Sequence, residues 1–370
     1  MHVLVTGGLG HIGSQLIRDL AASDGVQQVT VYDDLSTQRY GALFNLPPSI
    51  AYRFVDGNIL DAACLALALA GVDAVVHLAA ITNAEGSFEI SEQVRRVNHE
   101  GTACVVDACV AQGVRQLIFP STTSVYGPVQ GIAREDCPPA DLQPQSPYAA
   151  AKLAAEQAVL AADGTGALRT VCLRFGTIFG PSAGMRFHTA VNKFVFQAAT
   201  GQPLTVWRQV EQLVRPYLAL QDAVRAILFM LARPEAGGEI YNVVTLNAPL
   251  ARILDAIRSH VPGLQVEYTN TRLLNQVSFT VDDSKLRALG FVPRGNLEQG
   301  VADTLQLLRG LMAAGPVALA AECKRLVVVP ALARCAAGTA TNVFKRKQPS
   351  IKFRASSRGE PASEMATKAD

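Results

Sequence analysis

The chain has 370 residues, enough for two or three cores or for one large domain with an appendage. It is 49% hydrophobic and 17% charged, the balance of a soluble, well-packed globular protein, and its net charge of +2 selects no particular partner. Residues 311–370 hold ten Lys/Arg against four Asp/Glu and the first 310 hold 23 against 27, so the body is neutral to acidic and speaks against nucleic-acid binding.

In chain order, short apolar runs alternate with longer helical patterns. "HVLVTG" (2–7) reads as a strand, "HIGSQLIRDLAAS" as a helix and "QVTVYDD" (28–34) as a strand. "AYRFVDG" (51–57) is a strand, "LDAACLALALAG" a helix and "VDAVVHLAA" (72–80) a strand. "SEQVRRVNHEGTACVVDACVAQG" predicts one long helix, and "RQLIFPST" (115–122) the strand after it. "SPYAAAKLAAEQAVLAADG" predicts an Ala-rich helix with Pro147 near its start, and "LRTVCLRFGTIFG" (168–180) one more strand. Nearly all-apolar strands separated by helices are parallel strands buried on both faces, which predicts an α/β fold with a doubly wound parallel sheet, a Rossmann fold.

After residue 180 the rhythm changes. "GPSAGMRFHTAVNKFVFQAATGQPL" predicts a loop and then a helix, and "TVWRQVEQLVRPYLAL" strand, loop, strand. "QDAVRAILFMLARP" is a helix and "GEIYNVVT" a strand. The expected organisation is a Rossmann domain at 1–180 and a smaller mixed α/β lobe at 181–310, with one or two elements returned to the first sheet. A basic C-terminal extension follows at 311–370, and disorder is expected over about its last 30 residues. The seven cysteines form no C-x-x-C and lie mostly in apolar runs, as small buried hydrophobes in a reducing cytosol do. The first strand starts at once and no apolar run reaches the roughly 20 residues of a membrane helix, so a cytoplasmic protein without an integral membrane segment is expected.

The loop "VTGGLGHIG" joins the first strand to the first helix, with Gly7, Gly10 and Gly13 three apart. In that place Gly7 makes the tight turn, Gly10 lets backbone approach a pyrophosphate, and Gly13 lets helix and strand pack closely. The diphosphate then meets the amides of the helix N-terminus at His11 and Ile12. Asp33 ends the second strand, twenty residues past Gly13. A carboxylate there takes both hydroxyls of an adenine ribose and repels a 2′-phosphate, which selects NAD over NADP. Asn58 and Ile59 are placed beside the adenine, and Leu78, Ala79 and Ala80 toward the nicotinamide. The plainer alternative is a glycine turn and ordinary strand packing without ligand.

Tyr148 and Lys152 are four apart on the Ala-rich helix and so share one face. A neighbouring ammonium and a positive nicotinamide ring favour phenolate, which makes Tyr148 an acid/base for an alcohol–ketone pair. Lys152 also holds the nicotinamide ribose, and Thr122 ends a strand where a hydroxyl donor reaches substrate oxygen. The competing reading of Y-x-x-x-K is an exposed helix pair. No cluster of metal ligands accompanies these residues, so no metal is expected, His188 included.

The ordered set "TGGLGHIG", "HLAA", "STTSVYG", "YAAAK" and "LRFGTIFGP" resembles the extended short-chain dehydrogenases/reductases, in their NAD-dependent sugar epimerase/dehydratase branch, over residues 1–310. The resemblance implies Thr122, Tyr148 and Lys152 as the catalytic set, Asn98 as a cofactor-side residue, and a homodimer through two helices. It is nearest in kind to the UDP-glucose 4-epimerases. The dehydratases of the branch carry an Asp–Glu pair in "STDEVYG", where this chain has Thr123 and Ser124, which argues against elimination. Substrate-side candidates are Thr82, Thr122, Thr123, Thr177 (in the place of a family Asn), Arg186, Asn192, Arg215 and Arg272, with Gln276 as an alternative to the last. The first expectation is therefore a nucleotide-sugar epimerase, acting at C4 through a 4-keto intermediate on tightly held NAD. An NAD-dependent dehydrogenase of a secondary alcohol is the alternative, and a non-catalytic NAD-binding protein stands behind both.

Overall fold

The apolar strands of the first half lie side by side, and the polar ends that follow them share one edge. The computed structural model describes residues 1–129, 131–207, 210–269 and 278–312. The strand–helix alternation runs β1 (His2–Thr6), α1 (His11–Asp19), β2 (Gln28–Asp33), β3 (Ala51–Asp56), α2 (Ala62–Ala68) and β4 (Ala74–His77). It continues with α3 (Ser91–Arg95), α4 (Gly101–Ala111), β5 (Gln116–Thr122), the short β6 (Ile132–Ala133), α5 (Pro147–Ala161) and β7 (Arg169–Phe175). Then come β8 (Thr177–Phe179), α6 (Ala190–Ala199), β9 (Leu204–Trp207), β10 (Val214–Ala219), α7 (Leu220–Leu231) and β11 (Glu239–Val243). The last are β12 (Leu246–Pro249), α8 (Leu250–Arg258), β13 (Val266–Thr269), β14 (Thr280–Val281), α9 (Ser284–Ala288) and α10 (Leu297–Leu307).

The main sheet has seven parallel strands in the order β11-β7-β5-β4-β1-β2-β3. Alternate side chains of each strand feed opposite layers. Val3, Val5, Val29, Val31, Val76 and Ile118 pack under α1 and α7 with Leu16, Ile17, Val224 and Ile227. Leu4, Val75, Leu117 and Phe119 face the other way, onto Leu65, Val105, Ala155 and Val159 of α2, α4 and α5. The strand order reverses between β1 and β4, which opens a crevice above their C-terminal ends.

Three features sharpen the sequence reading. The run 168–180 is two strands, because Gly176 leaves the main sheet and β8 pairs with β10 instead. The backbone turns there where β10 comes close: a Cβ on Gly176 would lie 3.1 Å from the Pro216 carbonyl. The helix expected over 91–113 is interrupted by a π turn at Arg96–Glu100 that points Asn98 inward. The element returned to the main sheet is β11, and α7 returns with it to the first core.

The smaller lobe holds the sheet β12-β10-β8, the pair β13-β9, and α6, α8 and α10 around Phe179, Val195, Tyr217, Ile253 and Val301. No helix among the described residues is long and apolar enough to cross a membrane. The basic extension beyond 312, expected to be disordered at its end, lies outside the described residues, as do Arg272 and Gln276.

Candidate active site

The floor of the crevice is the loop between β1 and α1. Gly7 has φ +64, and its N–H donates to Tyr32 O at 2.8 Å. A Cβ there would lie 2.6 Å from Ala79 N, and one on Gly13 would lie 2.5 Å from Gly7 O. Gly10 is different: a Cβ on it would meet only Gly7 O, at 3.2 Å, and would otherwise project into open space. Gly10 also caps α1 without any side-chain hydrogen bond to the helix amides, which leaves them for an anion.

Asp33 closes β2 and is fixed by two backbone amides. Its Oδ2 accepts from Leu9 N at 3.0 Å and its Oδ1 from Leu35 N at 3.1 Å. Burial raises its pKa, and those two hydrogen bonds hold the rise back. The cleft is lined by Gly7, Gly10, His11, Ile12, Gly13, Asp33, Asn58 and Ile59, and on the β4 side by Leu78, Ala79 and Ala80.

A directed hydrogen-bond chain holds the β4 end. Thr6 Oγ1 accepts from Leu78 N and Ala79 N, at 3.1 and 3.2 Å, and donates to His77 Nδ1 at 2.6 Å. The His77 Nε2–H then donates to Thr102 Oγ1 at 3.0 Å, whose own proton goes to Asn98 O at 2.7 Å. Asn98 does not line the cleft: its side chain takes both polar backbone groups of Ile81 at 2.8 Å, so it braces the cleft wall from behind.

At the other end Thr122 terminates β5, and its Oγ1 accepts from Ser124 N at 3.1 Å. Tyr148 and Lys152 project from the first turns of α5, which begins at Pro147 under a Ser146 cap. All three line the cleft. Burial pushes the Tyr148 phenol up to about 12, while the Thr122 side chain and the charge of Arg186 act the other way. The Lys152 ammonium turns to Pro120 O at 2.9 Å and lies 4.3 Å from the Phe119 ring centre. Burial pulls it down to about 8, offset by the charge of Glu156. Glu156 is itself locked to Arg174, with Nε–Oε1 at 3.0 Å and Nη2–Oε2 at 2.8 Å and both side chains 2% exposed.

Among the substrate-side candidates, Thr82, Thr122, Thr123, Thr177 and Arg186 line the cleft. Two candidates are not among the described lining residues. Asn192 is buried, accepts from Gly180 N at 3.2 Å and donates to Arg186 O at 3.3 Å, so it shapes a loop. Arg215 lies 5.0 Å from the Phe279 ring centre and is not among the described residues that line the cleft. The cleft also takes in Asp34, Ser36, Thr37, Ser121, Ser124 and His188. The polar run after the second strand signals the first three, and "STTS" the next two. Ser121 Oγ is buried without a hydrogen-bond partner among the described residues, an orphan that a bound ligand would satisfy.

The open side of Gly10, the free helix amides, the fixed carboxylate at Asp33 and the orphan hydroxyl at Ser121 together fit a dinucleotide laid along the cleft. Comparison with known proteins agrees. A family model described as the NAD dependent epimerase/dehydratase family matches residues 3–243. A dTDP-glucose 4,6-dehydratase of Streptomyces niveus is 32% identical over 84% of this chain and 93% of its own. A trifunctional UDP-glucose 4,6-dehydratase/UDP-4-keto-6-deoxy-D-glucose 3,5-epimerase/UDP-4-keto-L-rhamnose-reductase of Arabidopsis thaliana is 29% identical over 82% of this chain, which spans 46% of that enzyme's length. The crystal structure of the Thermus thermophilus UDP-glucose 4-epimerase with NAD superposes with a TM-score of 0.72 at 29% identity, over 84% of this chain and 99% of that one.

Proposed function

The chain belongs to the NAD dependent epimerase/dehydratase family, and from that premise we propose that it is a nucleotide-sugar 4-epimerase. The observation that carries this reading is the distribution of acids. Among the described residues, the only carboxylates lining the cleft are Asp33 and Asp34, both at the adenosine end. Elimination of water from a sugar needs a group near the reacting carbon to protonate the leaving hydroxyl. The rest of the lining toward Tyr148's end, including Thr122, Thr123, Ser124 and Thr177, offers no acid.

NAD, when bound, supplies reversible hydride acceptance. The remaining work falls to the chain. Gly10, His11 and Ile12 present backbone to the diphosphate, and Asp33 takes the adenosine ribose. Burial alone keeps Tyr148 protonated; Thr122 and Arg186, joined by the positive nicotinamide of bound NAD, favour phenolate. In that form Tyr148 takes the proton of the C4 hydroxyl as that carbon is oxidised, with Thr122 hydrogen-bonded to the same oxygen. The 4-keto sugar turns its other face, and Tyr148 returns the proton. Lys152 keeps its ammonium beside this site, tied to Pro120 O.

The test is incubation of the protein, with its bound NAD, with UDP-glucose and then with UDP-glucuronic acid and dTDP-glucose. Interconversion of C4 epimers without net NADH is expected. A 4-keto-6-deoxy product, or NADH in proportion to substrate consumed, would overturn the reading.

A further inference from the structure

Two arginines approach each other beside the glycine loop, and the one carboxylate that acts on both, Asp33, does so through space without a direct ion pair. Arg186, from the loop before α6, lines the cleft and donates from Nη1 to Thr82 Oγ1 at 3.1 Å, just past the end of β4. Arg39, from the loop after β2, donates from Nη1 to Gly184 O at 3.1 Å. Neither forms an ion pair with an Asp or Glu among the described residues, where eleven such pairs occur. Burial, and then the charge of Arg186, pulls Arg39 down to about 10. Two partly buried like charges share the single carboxylate Asp33, whose oxygens already accept two backbone amides, so the pair keeps an excess of positive charge that a further anion would answer.

The backbone that carries Arg186 is fastened to the cofactor loop. Ser182 Oγ donates to His11 O at 2.9 Å, Ser14 Oγ to Ser182 Oγ at 3.1 Å, and Gly184 N to Ser14 Oγ at 2.9 Å. The His11 Nε2–H donates to Gly180 O at 2.8 Å. Gly184 packs so closely that a Cβ on it would overlap Leu9 O and come within 2.5 Å of Gly10 O. The guanidinium is therefore placed by the glycine loop itself, although its sequence position is 176 residues past Gly10.

We propose that Arg186, backed by Arg39, is a ligand for the diphosphate of the dinucleotide cofactor, and not for that of the substrate. The charged and titratable groups that act on Arg186 or feel its charge are Asp33, Arg39, His11, His188 and Tyr148. Asp33 marks the adenosine end of the cleft and Tyr148 the reacting end, and the diphosphate is the middle of a dinucleotide. The α1 amides face the same region, and a planar guanidinium suits phosphate oxygens on the open side. A cofactor gripped from both the main sheet and the smaller lobe is one that stays bound. That suits an epimerase, although the assignment itself rests only on the cofactor being NAD.

The test measures binding, so it stands apart from turnover. The full chain is stripped of nucleotide, and the affinities of wild type and Arg186→Gln are measured calorimetrically for NAD and separately for UDP. Loss of NAD affinity by roughly 10- to 100-fold is expected, the worth of a charge-assisted hydrogen bond, with UDP affinity within about twofold. Arg186→Lys, which keeps the charge and loses the fork, is expected to fall between, and it carries the test if the Gln variant fails to fold. Unchanged NAD affinity, a fall confined to UDP, or an equal fall in both overturns the assignment.

Discussion

The main sheet and the smaller lobe differ in what fixes the position of a functional group. In the main sheet the cleft-facing groups sit at strand ends or in the turns after them: Gly7 after β1, Asp33 ending β2, Ala79 after β4, Thr122 ending β5. Parallel strands with crossover helices bring all those ends to one edge, so chain position and spatial position are tied together. In the lobe, Thr177, Arg186, Asn192 and Arg215 lie beyond the sheet switch at Gly176, and their directions follow from contacts far away in sequence. Chemistry is thus carried by locally specified groups, while the lobe's loop is aimed by the part it serves.

The largest effect expected on this division is that of Tyr148→Phe. It removes the proton-transfer group and little else, because the phenyl body and the Tyr148 N–H bond to Ser87 Oγ are kept. Turnover should drop by about 10²- to 10⁴-fold with NAD affinity within about twofold. Turnover within tenfold of wild type would place the chemistry elsewhere and break the comparison at its root.

Next comes a pair of stability measurements, one in each region. Glu156→Gln leaves Arg174 buried at 2% exposure with its charge uncompensated, and a loss of about 3–5 kcal/mol in urea unfolding is expected. In the lobe, Arg252→Ala breaks the Arg252–Glu298 pair, whose side chains are 53% and 47% exposed, and a change below about 1 kcal/mol is expected. Equal losses would mean that the lobe's surface charges matter as much as the buried pair behind α5.

The same division explains what the sequence made legible. The doubly wound parallel sheet was readable from its nearly all-apolar strands, except that the run 168–180 hid a sheet switch. That switch depends on β10, more than thirty residues downstream, approaching Gly176. The glycine loop, Asp33 and the Thr122–Tyr148–Lys152 set were readable as cleft-lining groups because each sits at a strand end, in the turn after it or in the first turns of a helix. Asn98 was readable as important but not as a brace, since the π turn that points it inward leaves no periodic signature. Asn192 was proposed from its loop and Arg215 from a motif; Asn192 is buried on Gly180 N and Arg186 O, contacts that depend on the folded loop and leave no sequence signal. The i,i+4 spacing did put Lys152 on the cleft side with Tyr148, but its hydrogen bond to the Pro120 carbonyl, which depends on the end of β5, had no sequence signal.

The last prediction, the smallest near neutral pH, concerns His77, which belongs wholly to the main sheet. Its ring is fully buried and its pKa is lowered from 6.5 to about 3, by burial first and then by the charge of Lys152. The hydrogen-bond chain demands the neutral ring, because Nδ1 accepts the Thr6 proton while Thr6 Oγ1 is already taking two backbone amides. The unfolded chain therefore binds this proton between pH 6.5 and about 3 while the folded chain does not. Stability conferred by the neutral ring is present above 6.5 and is lost as pH falls, by roughly 1.4 kcal/mol per pH unit. His77→Asn should be less stable at pH 7 but should show a flatter acid limb. Hydrogen exchange should locate the acid-induced opening in β1 and β4, where Leu78 and Ala79 hang from Thr6, before it reaches the β10–β12 ladder of the lobe. If the lobe opens first, the chain through His77 is not what holds the cofactor floor, and the main sheet is not the more tightly specified of the two regions.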